Sequence, residues 1–399
     1  MSSSQPGSVE EAVGEPPAEA AGLPDSPQKK SDEGLPVVAP APEFKSGVLG
    51  ADLQFVPTKE PVIRLGFAGD VLLHRRLQRQ ASWKRGYGHL FGEVEGLISS
   101  FDMMYANLEG PTAMGLDVDG NEVEDPGLKF DEVVYTSFPR FNYHPKIISD
   151  LLNAGVDVVS TANNHSMDRD GEGVNRTIDA LDKAGMPYTG TRKHDRRRDV
   201  FYTIQNVRDL KIALLACTYG VGGPSDKFHQ VNYCFRDRKT ILETLPVLRA
   251  EADFIVVLPH WGDEYSPDPN EEQRRVAKEF LEAGADAIVG AHPHVLQPWE
   301  GYLTKDGRKT VIMHSLGNFV SNQRELERRS SVVFNLDLVK DGQDVRIAAI
   351  GVYPIMTVIR KHILSVVPVR IREDGPEEWD HIFSLFPVRA LRTMPVVQK

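Results

Sequence analysis

The sequence has little cysteine, since Cys217 and Cys234 are the only two among 399 residues. So few thiols argue against a structural zinc site, which usually has a closed shell of several cysteines. Cys217 lies in the apolar run Ile212–Cys217, and a cysteine in such surroundings is typically buried and behaves as a small hydrophobe. We therefore predict a buried free thiol at this position and no disulfide.

Long hydrophobic runs are also absent. No segment approaches the roughly 20 apolar residues that cross a bilayer, and the N-terminus has no basic region followed by a hydrophobic stretch. Neither a transmembrane segment nor a secretory signal is therefore predicted. We expect a soluble protein in the cytoplasm, with an extracytoplasmic role left open.

Positive charge is scarce as well, because 46 lysines and arginines stand against 57 aspartates and glutamates. The net charge of −11 is opposite in sign to the basic face that nucleic-acid-binding proteins usually carry. We predict no nucleic-acid partner. The composition does not determine the oligomeric state.

Composition divides the chain into three parts. Residues 1–57 are rich in Ser, Pro, Gly, Ala and Glu, and such a segment cannot bury enough apolar surface to offset the entropy lost on ordering. We predict a disordered acidic tail there, followed by a main domain over residues 58–340. Residues 341–399 are predicted to form a β-rich extension packed on that domain.

Short β-branched runs alternate with helical patterns through the main domain, which is typical of the α/β class with a largely parallel sheet. The turn at Asp341–Gly342 indicates an antiparallel hairpin, and we expect the later hairpins to form a second sheet. Ligands of open α/β sheets bind beyond the carboxyl ends of the strands. The strands predicted before the hairpin include Pro61–Ala68, Phe101–Asn107, Val156–Ser160, Asp253–Leu258, Ala287–Val289 and Thr310–Met313.

Polar side chains that can bind a metal follow these predicted strands. They are Asp70, Asn107 with Glu109, Asn164 with His165, His260, His292 with His294, and Asn318. The spacing of His292 and His294 would by itself also suit a surface loop, but the joint placement of the whole set predicts a metal site. Carboxylate, amide and imidazole ligands suit one or two divalent ions of manganese, iron or zinc, and a carboxylate such as Glu109 or Asp70 would bridge a pair.

Six motifs occur in one order along the chain: GDVLLHRRL, NLEGP, TANNHSMD, LPHWGDEY, GAHPHVLQ and HSLGNF. This series resembles the CapA capsule-synthesis family, also called poly-γ-glutamate synthesis proteins, within the calcineurin-like metallophosphoesterase superfamily. The likeness covers roughly residues 63–322. It implies a four-layer α/β/β/α sandwich of the metallophosphoesterase type.

The resemblance also implies a role for each matching residue. The implied metal ligands are Asp70, Glu109, Asn164, His260, His292 and His294, with Glu109 as the bridge. His165 matches the histidine that serves the leaving group. The superfamily's first motif has a histidine two residues after its aspartate, whereas Leu72 stands here, so one metal position is weaker, altered or empty. His74 is nearby, and we predict that it lies on a helix surface.

The leading functional prediction is a metal-dependent hydrolase, in which a metal-activated water attacks a phosphoester or a γ-glutamyl amide and His165 is the general acid. Asn107 and Asn318 are predicted to bind the substrate, although Asn318 could instead cap a turn. The expected substrate is an anionic small molecule or a polyglutamate-like chain. The alternative is a non-catalytic accessory protein that holds a polyanionic substrate for a synthase.

Overall fold

A computed structural model describes residues 62–196, 200–223, 225–342, 344–370 and 375–386. The predicted tail, residues 1–57, therefore lies outside the described residues. Within the described part of the chain, no helix combines the length and the apolar character needed to cross a membrane. The division of the chain near residues 57 and 340 stays a prediction.

The first sheet has seven strands, in the order β13-β12-β11-β1-β2-β3-β4. Four of them run parallel: β1 (Ile63–Val71), β2 (Met103–Leu108), β3 (Val158–Ser160) and β4 (Tyr188–Thr189). The other three pair antiparallel along the far edge of β1: β11 (Ser330–Asp341), β12 (Asp344–Arg360) and β13 (Ile363–Pro368). The prediction that the late hairpins form a second sheet is therefore wrong, because β11 pairs directly with β1.

The second sheet has six strands, in the order β5-β6-β7-β8-β10-β9. They are β5 (Tyr202–Val207), β6 (Leu210–Thr218), β7 (Phe254–His260), β8 (Ala287–Val289), β9 (Leu296–Leu303) and β10 (Lys309–Leu316). The core strands β6, β7, β8 and β10 are parallel. The sequence analysis missed β9, an edge strand of mostly half-buried residues without strict alternation.

Eight helices connect these strands in the described residues. They are α1 (Arg75–Lys84), α2 (Glu95–Ile98), α3 (Lys146–Ala154), α4 (Asp170–Ala184), α5 (Arg238–Glu251), α6 (Glu271–Glu282), α7 (Leu326–Arg329) and α8 (Pro376–Leu385). The start of α6 follows from its sequence, since the Asn270 side chain accepts a hydrogen bond from the backbone N–H of Gln273 and the Gln273 side chain accepts one from the backbone N–H of Asn270. A single 3-10 turn, Gly88–Leu90, precedes α2.

The two-residue period of the strands creates four layers. Alternate residues of both sheets face each other in a central core that includes Leu65, Phe67, Ile212, Leu214, Val256 and Val289. The neighbouring residues face outward, where Met104 and Ala106 pack with α1 and α3, and Ala213 and Leu215 pack with α5 and α6. The predicted α/β/β/α sandwich is confirmed.

The two cysteines form a disulfide, so the predicted free thiol at Cys217 is wrong. The Cα atoms of Cys217 and Cys234 are 5.0 Å apart, and both side chains are fully buried. The chain leaves the end of β6, loops out, and returns so that the Cys234 N–H donates to the Thr218 carbonyl at 2.8 Å. This return depends on long-range packing, which is why local apolarity around Cys217 gave no sign of a partner.

Removing this disulfide should lower the stability of the fold. The bond closes a segment of 17 residues, and a loop of that length corresponds to about 3 kcal/mol of unfolded-state entropy in the chain-entropy treatment. We expect the double variant Cys217→Ala/Cys234→Ala to unfold at a lower urea midpoint by about that free energy. Wild-type protein treated with a reductant is the matched control, and midpoints equal to that of oxidised wild type would contradict the prediction.

Candidate metal centre

The predicted site residues meet beyond the carboxyl ends of β1, β2, β3, β7, β8 and β10. Their side chains come from both sheets, and the ligand candidates are almost fully buried: Asp70 and Glu109 have no exposed surface, His260 1%, His292 2%, His294 3% and Asn164 7%. A set of charged and polar groups is seldom buried to this extent unless its members are paired or bind an ion.

Asp70 is held rigidly because β1 is tied to the segment that follows β10. A Cβ atom on Gly69 would lie 1.9 Å from the Gly317 carbonyl oxygen, so only glycine permits this approach. The Asp70 N–H then donates to that carbonyl at 3.1 Å, and the Val320 N–H donates to the Asp70 carbonyl at 3.1 Å. The two sheets are thereby joined next to a candidate ligand.

The turn that carries the two histidines is strained. His292 has φ 99° and His294 has φ 58°, and the left-handed region is unfavourable for residues other than glycine. Just before them, a Cβ atom on Gly290 would lie 2.1 Å from the His314 carbonyl oxygen. Such strain persists where the surrounding structure imposes it, commonly at functional sites.

Three donors define a first position that can hold a metal: Asp70, Glu109 and His294, whose ligand atoms lie within 4.8 Å of one another. His294 Nδ1 is 3.2 Å from Asp70 Oδ2, and His294 Nε2 is 3.8 Å from Glu109 Oε1. Leu72, which stands where the resemblance implies a histidine, contributes no donor to this position. The Leu72 side chain is buried in the apolar core outside the first sheet.

A second position shares the same glutamate. Glu109, His260 and His292 also have ligand atoms within 4.8 Å of one another. His260 Nε2 lies 3.6 Å from Glu109 Oε1 and 2.9 Å from Asn164 Oδ1. Glu109 is therefore the one residue common to both positions, as expected of a bridging carboxylate.

The unsatisfied atoms of these residues fit a cation. Both Glu109 carboxylate oxygens and His292 Nδ1 are buried without a hydrogen-bond partner, although buried polar atoms nearly always have one. Burial and then the charge of Asp70 raise the pKa of Glu109 well above its usual value. Burial lowers the pKa of His260 well below its usual value and that of His292 to about 3, so neutral imidazoles are available as ligands.

Asn107 and Asn318 lie behind the ligands and not beside an open substrate position. Asn107 Nδ2 donates to Asp70 Oδ1 at 2.7 Å. Asn318 Oδ1 is 3.1 Å from His294 Nδ1, and Asn318 Nδ2 donates to the His294 carbonyl at 3.2 Å. Both side chains are 98% or more buried. Their geometry is that of residues that orient ligands, so it gives no support to the predicted substrate-binding role.

His165 lies next to this cluster and is not a member of either position. Its Nδ1 is 2.8 Å from Asp168 Oδ2, and the same carboxylate oxygen accepts the Phe141 N–H at 2.6 Å. The Phe141 ring packs edge-on against the imidazole with centroids 4.7 Å apart. The sequence analysis missed Asp168 and Phe141, although the three-residue spacing of His165 and Asp168 was an available signal of the first.

Other residues around the site were missed or misplaced. His74 does not lie on a helix surface as predicted, since it packs edge-on against Phe141 at 5.6 Å, accepts the Asn322 N–H at 3.3 Å, and has its pKa lowered to about 4 by burial. The Tyr219 ring packs on His292 at 4.6 Å. Glu264 contributes a carboxylate oxygen near His292 and His294, and its position in LPHWGDEY was the available signal.

Comparisons with known proteins show which proteins this chain is similar to. The profile of the family described as "Bacterial capsule synthesis protein PGA_cap" matches residues 64–323. The PGA biosynthesis protein CapA of Bacillus subtilis is 30% identical over 286 residues, which are 71% of this chain and 70% of that protein. The capsule biosynthesis protein CapA of Bacillus anthracis is 27% identical over 321 residues, which are 79% of this chain and 69% of that protein. Among solved structures, calcineurin-like phosphoesterase YfkN from Bacillus subtilis is 17% identical with a TM-score of 0.43, covering 82% of this chain and 100% of that chain.

Proposed function

The chain belongs to the bacterial capsule synthesis (PGA_cap) family, and on that premise we propose that it is a metal-dependent hydrolase of phosphoester or γ-glutamyl amide bonds. The observation that carries the proposal is the pair of three-residue positions that share Glu109 and lie beside the hydrogen-bonded pair His165–Asp168. A family name alone would not supply a reaction, because one fold serves many functions.

The residues of the two positions fit one or two divalent ions of manganese, iron or zinc. Asp70, Glu109 and His294 would hold one ion, and Glu109, Asn164, His260 and His292 the other. Their mix of carboxylate, amide and imidazole donors, without thiolates, suits these metals. Metals held by these residues would supply Lewis acidity and would lower the pKa of a water molecule.

His165 acts in this proposal as the general acid. Asp168 holds the imidazole through Nδ1 at 2.8 Å, which fixes the ring orientation and leaves Nε2 to deliver a proton to the leaving group. The side chain of His165 is 12% exposed whereas that of Asp168 is fully buried, so His165 is the member of the pair that a substrate can reach. Asp168 is a positioning residue.

The proposed substrate is anionic, and the relatives suggest its class. Two of them are named for PGA or capsule biosynthesis, which supports a polyglutamate-like chain over an unrelated phosphoester. Those names describe biosynthesis and not hydrolysis. They therefore also support the second candidate, a non-catalytic accessory protein that holds such a chain for a synthase.

The predicted cytoplasmic location stays a prediction, and one structural feature argues against it. A disulfide such as Cys217–Cys234 persists in oxidising compartments, whereas cytoplasmic thiols are usually kept reduced. Alkylation of free thiols in intact cells, followed by mass spectrometry, would decide between the two locations.

The first test is the metal content of the full chain purified without chelator. We expect at least one transition metal ion per chain by plasma mass spectrometry, and a sharp decrease in His260→Ala and His292→Ala, since each change removes a buried donor. The same preparations should then be assayed on a panel of phosphoester and γ-glutamyl substrates. Cleavage of a substrate by metal-loaded wild type, and by neither variant, would support the proposal that the protein is a hydrolase.

The matched control is His362→Asn, which removes an exposed histidine with φ 67° from the turn between β12 and β13. Asparagine tolerates this backbone conformation, so the control should keep the metal content of wild type. Equal metal content in all four proteins would rule out the site. Full metal content without cleavage of any substrate would instead favour the accessory protein.

A further inference from the structure

Glu264 is placed at the metal centre by a tightly constrained loop after β7. Gly262 has φ 94° and Tyr265 has φ 65°, so the chain turns sharply on both sides of Glu264. The Tyr265 N–H donates to the Pro293 carbonyl at 2.8 Å. This hydrogen bond fixes the loop to the turn that carries His292 and His294.

The carboxylate of Glu264 lies close to one histidine from each metal position. One of its oxygens, a His292 nitrogen and a His294 nitrogen all lie within 4.8 Å of one another. Glu109 has the same relation to the two positions, but it is fully buried whereas Glu264 is exposed. The two carboxylates therefore approach the histidines from opposite environments, one from the interior and one from solvent.

The Glu264 side chain lies next to a residue that is itself held in place. Burial and then the charge of Glu264 raise the pKa of the Tyr265 hydroxyl, which accepts a hydrogen bond from Gln323 Nε2 at 3.3 Å. Arg328 packs over the Tyr265 ring with its Cζ 3.6 Å from the centroid. Ligands held by such outer contacts lose less conformational entropy on binding a metal.

The alternative is that Glu264 is an ordinary solvated acid without a ligand role. The adjacent Asp263 provides the comparison. The Asp263 carboxylate accepts a hydrogen bond from Asn270 Nδ2 at 3.0 Å, near the start of α6, and it belongs to none of the three groups of candidate metal donors. Glu264 follows it by one residue yet faces the histidines. His292 Nδ1 is buried without a hydrogen-bond partner, and a neutral imidazole nitrogen of this kind can bind a metal ion.

We propose that Glu264 is an additional metal ligand, which completes the coordination of the His292 and His294 ions from the solvent side. This proposal rests on the proposed metal centre and extends it by one residue. An exposed carboxylate at this place increases the retention of metal.

The test is Mn²⁺ binding to chelator-treated full-length protein, measured by isothermal titration calorimetry. Glu264→Gln keeps the size of the side chain but removes the anionic ligand, and we expect Mn²⁺ to bind about 10- to 100-fold more weakly, the range seen when residues around a metal are altered. The control is Glu271→Gln, which removes the same charge from an exposed position in the first turn of α6. It should change the affinity less than twofold.

The outcomes separate this proposal from the proposed function. Equal affinities for wild type and Glu264→Gln would overturn the role of Glu264 while leaving the metal centre intact. Equal losses in Glu264→Gln and Glu271→Gln would also overturn it, because the effect would then be general electrostatic attraction. Wild-type protein that binds no Mn²⁺, Fe²⁺ or Zn²⁺ would overturn the metal centre itself. Unfolding midpoints of the metal-free proteins should be the same, since Glu264 is exposed.

Discussion

Replacing His165 with alanine is expected to reduce the turnover of any cleaved substrate by about two to four decades, the usual contribution of a positioned general acid. The expected loss of turnover does not come from loss of metal, because His165 belongs to neither group of metal donors. Its contacts are with Asp168 and Phe141. Metal content should remain that of wild type, whereas the unfolding midpoint should fall somewhat because the buried Asp168 loses a hydrogen-bond partner. Steady-state kinetics on metal-loaded protein would measure the change in rate.

Asp168→Asn provides the matched comparison for this experiment. Asparagine keeps the shape but not the charge that holds His165 Nδ1 at 2.8 Å, so we expect a smaller loss of rate and an altered pH profile of kcat. A substrate whose leaving group needs no proton should be hydrolysed by His165→Ala at nearly the wild-type rate. Full activity of His165→Ala on ordinary substrates would show that the general-acid assignment is wrong.

Replacing Glu109 with glutamine should produce the largest change in the free energy of unfolding. The sign of that change relative to wild type should depend on whether metal is bound. Adding Mn²⁺ or Zn²⁺ at 100 to 1,000 times the dissociation constant is expected to stabilise wild type by about 3 to 4 kcal/mol. Glu109→Gln should lose most of that gain, because it removes the carboxylate common to both positions. Thermal unfolding in the presence and absence of chelator measures both values.

Without metal, the order of stability of wild type and Glu109→Gln should be reversed. In chelated wild type, both Glu109 oxygens are buried without a partner close to Asp70, and a buried unpaired carboxylate is costly. Glutamine removes the acidic group whose ionised form burial and Asp70 disfavour, so chelated Glu109→Gln should be at least as stable as chelated wild type. If metal leaves the unfolding of wild type unchanged, Glu109 has a purely structural role.

Sequence patterns predicted the α/β class and the location of the site. The β-branched runs that became β3, β7 and β8 are short and continuous, and continuity of that kind indicates strands buried on both faces. Polar residues directly after such strands must then collect at one edge of the sheets. For this reason His260, His292 and Glu109 could be grouped without coordinates.

Residues that depend on packing between distant segments could not be predicted in this way. His74 was expected on a helix surface, yet Phe141 and Asn322 bury it from segments 67 and 248 residues away. β11 pairs with β1 although more than 250 residues of sequence lie between the two strands. Neither contact leaves a local signature, because each depends on how the two sheets fold over each other.

The sequence by itself determined the layer type, the strand-end position of the candidate ligands and the family, since each of these follows from local periodicity or from short motifs. Only the tertiary structure decided the Cys217–Cys234 bond, the orientation of Asn107 and Asn318 toward the ligands, and the approach of Glu264 to the two histidines. The physical reason is the range of the interactions. Periodicity reports which face of an element is buried, whereas the partner of a side chain is set by the backbone positions of segments far apart in the chain.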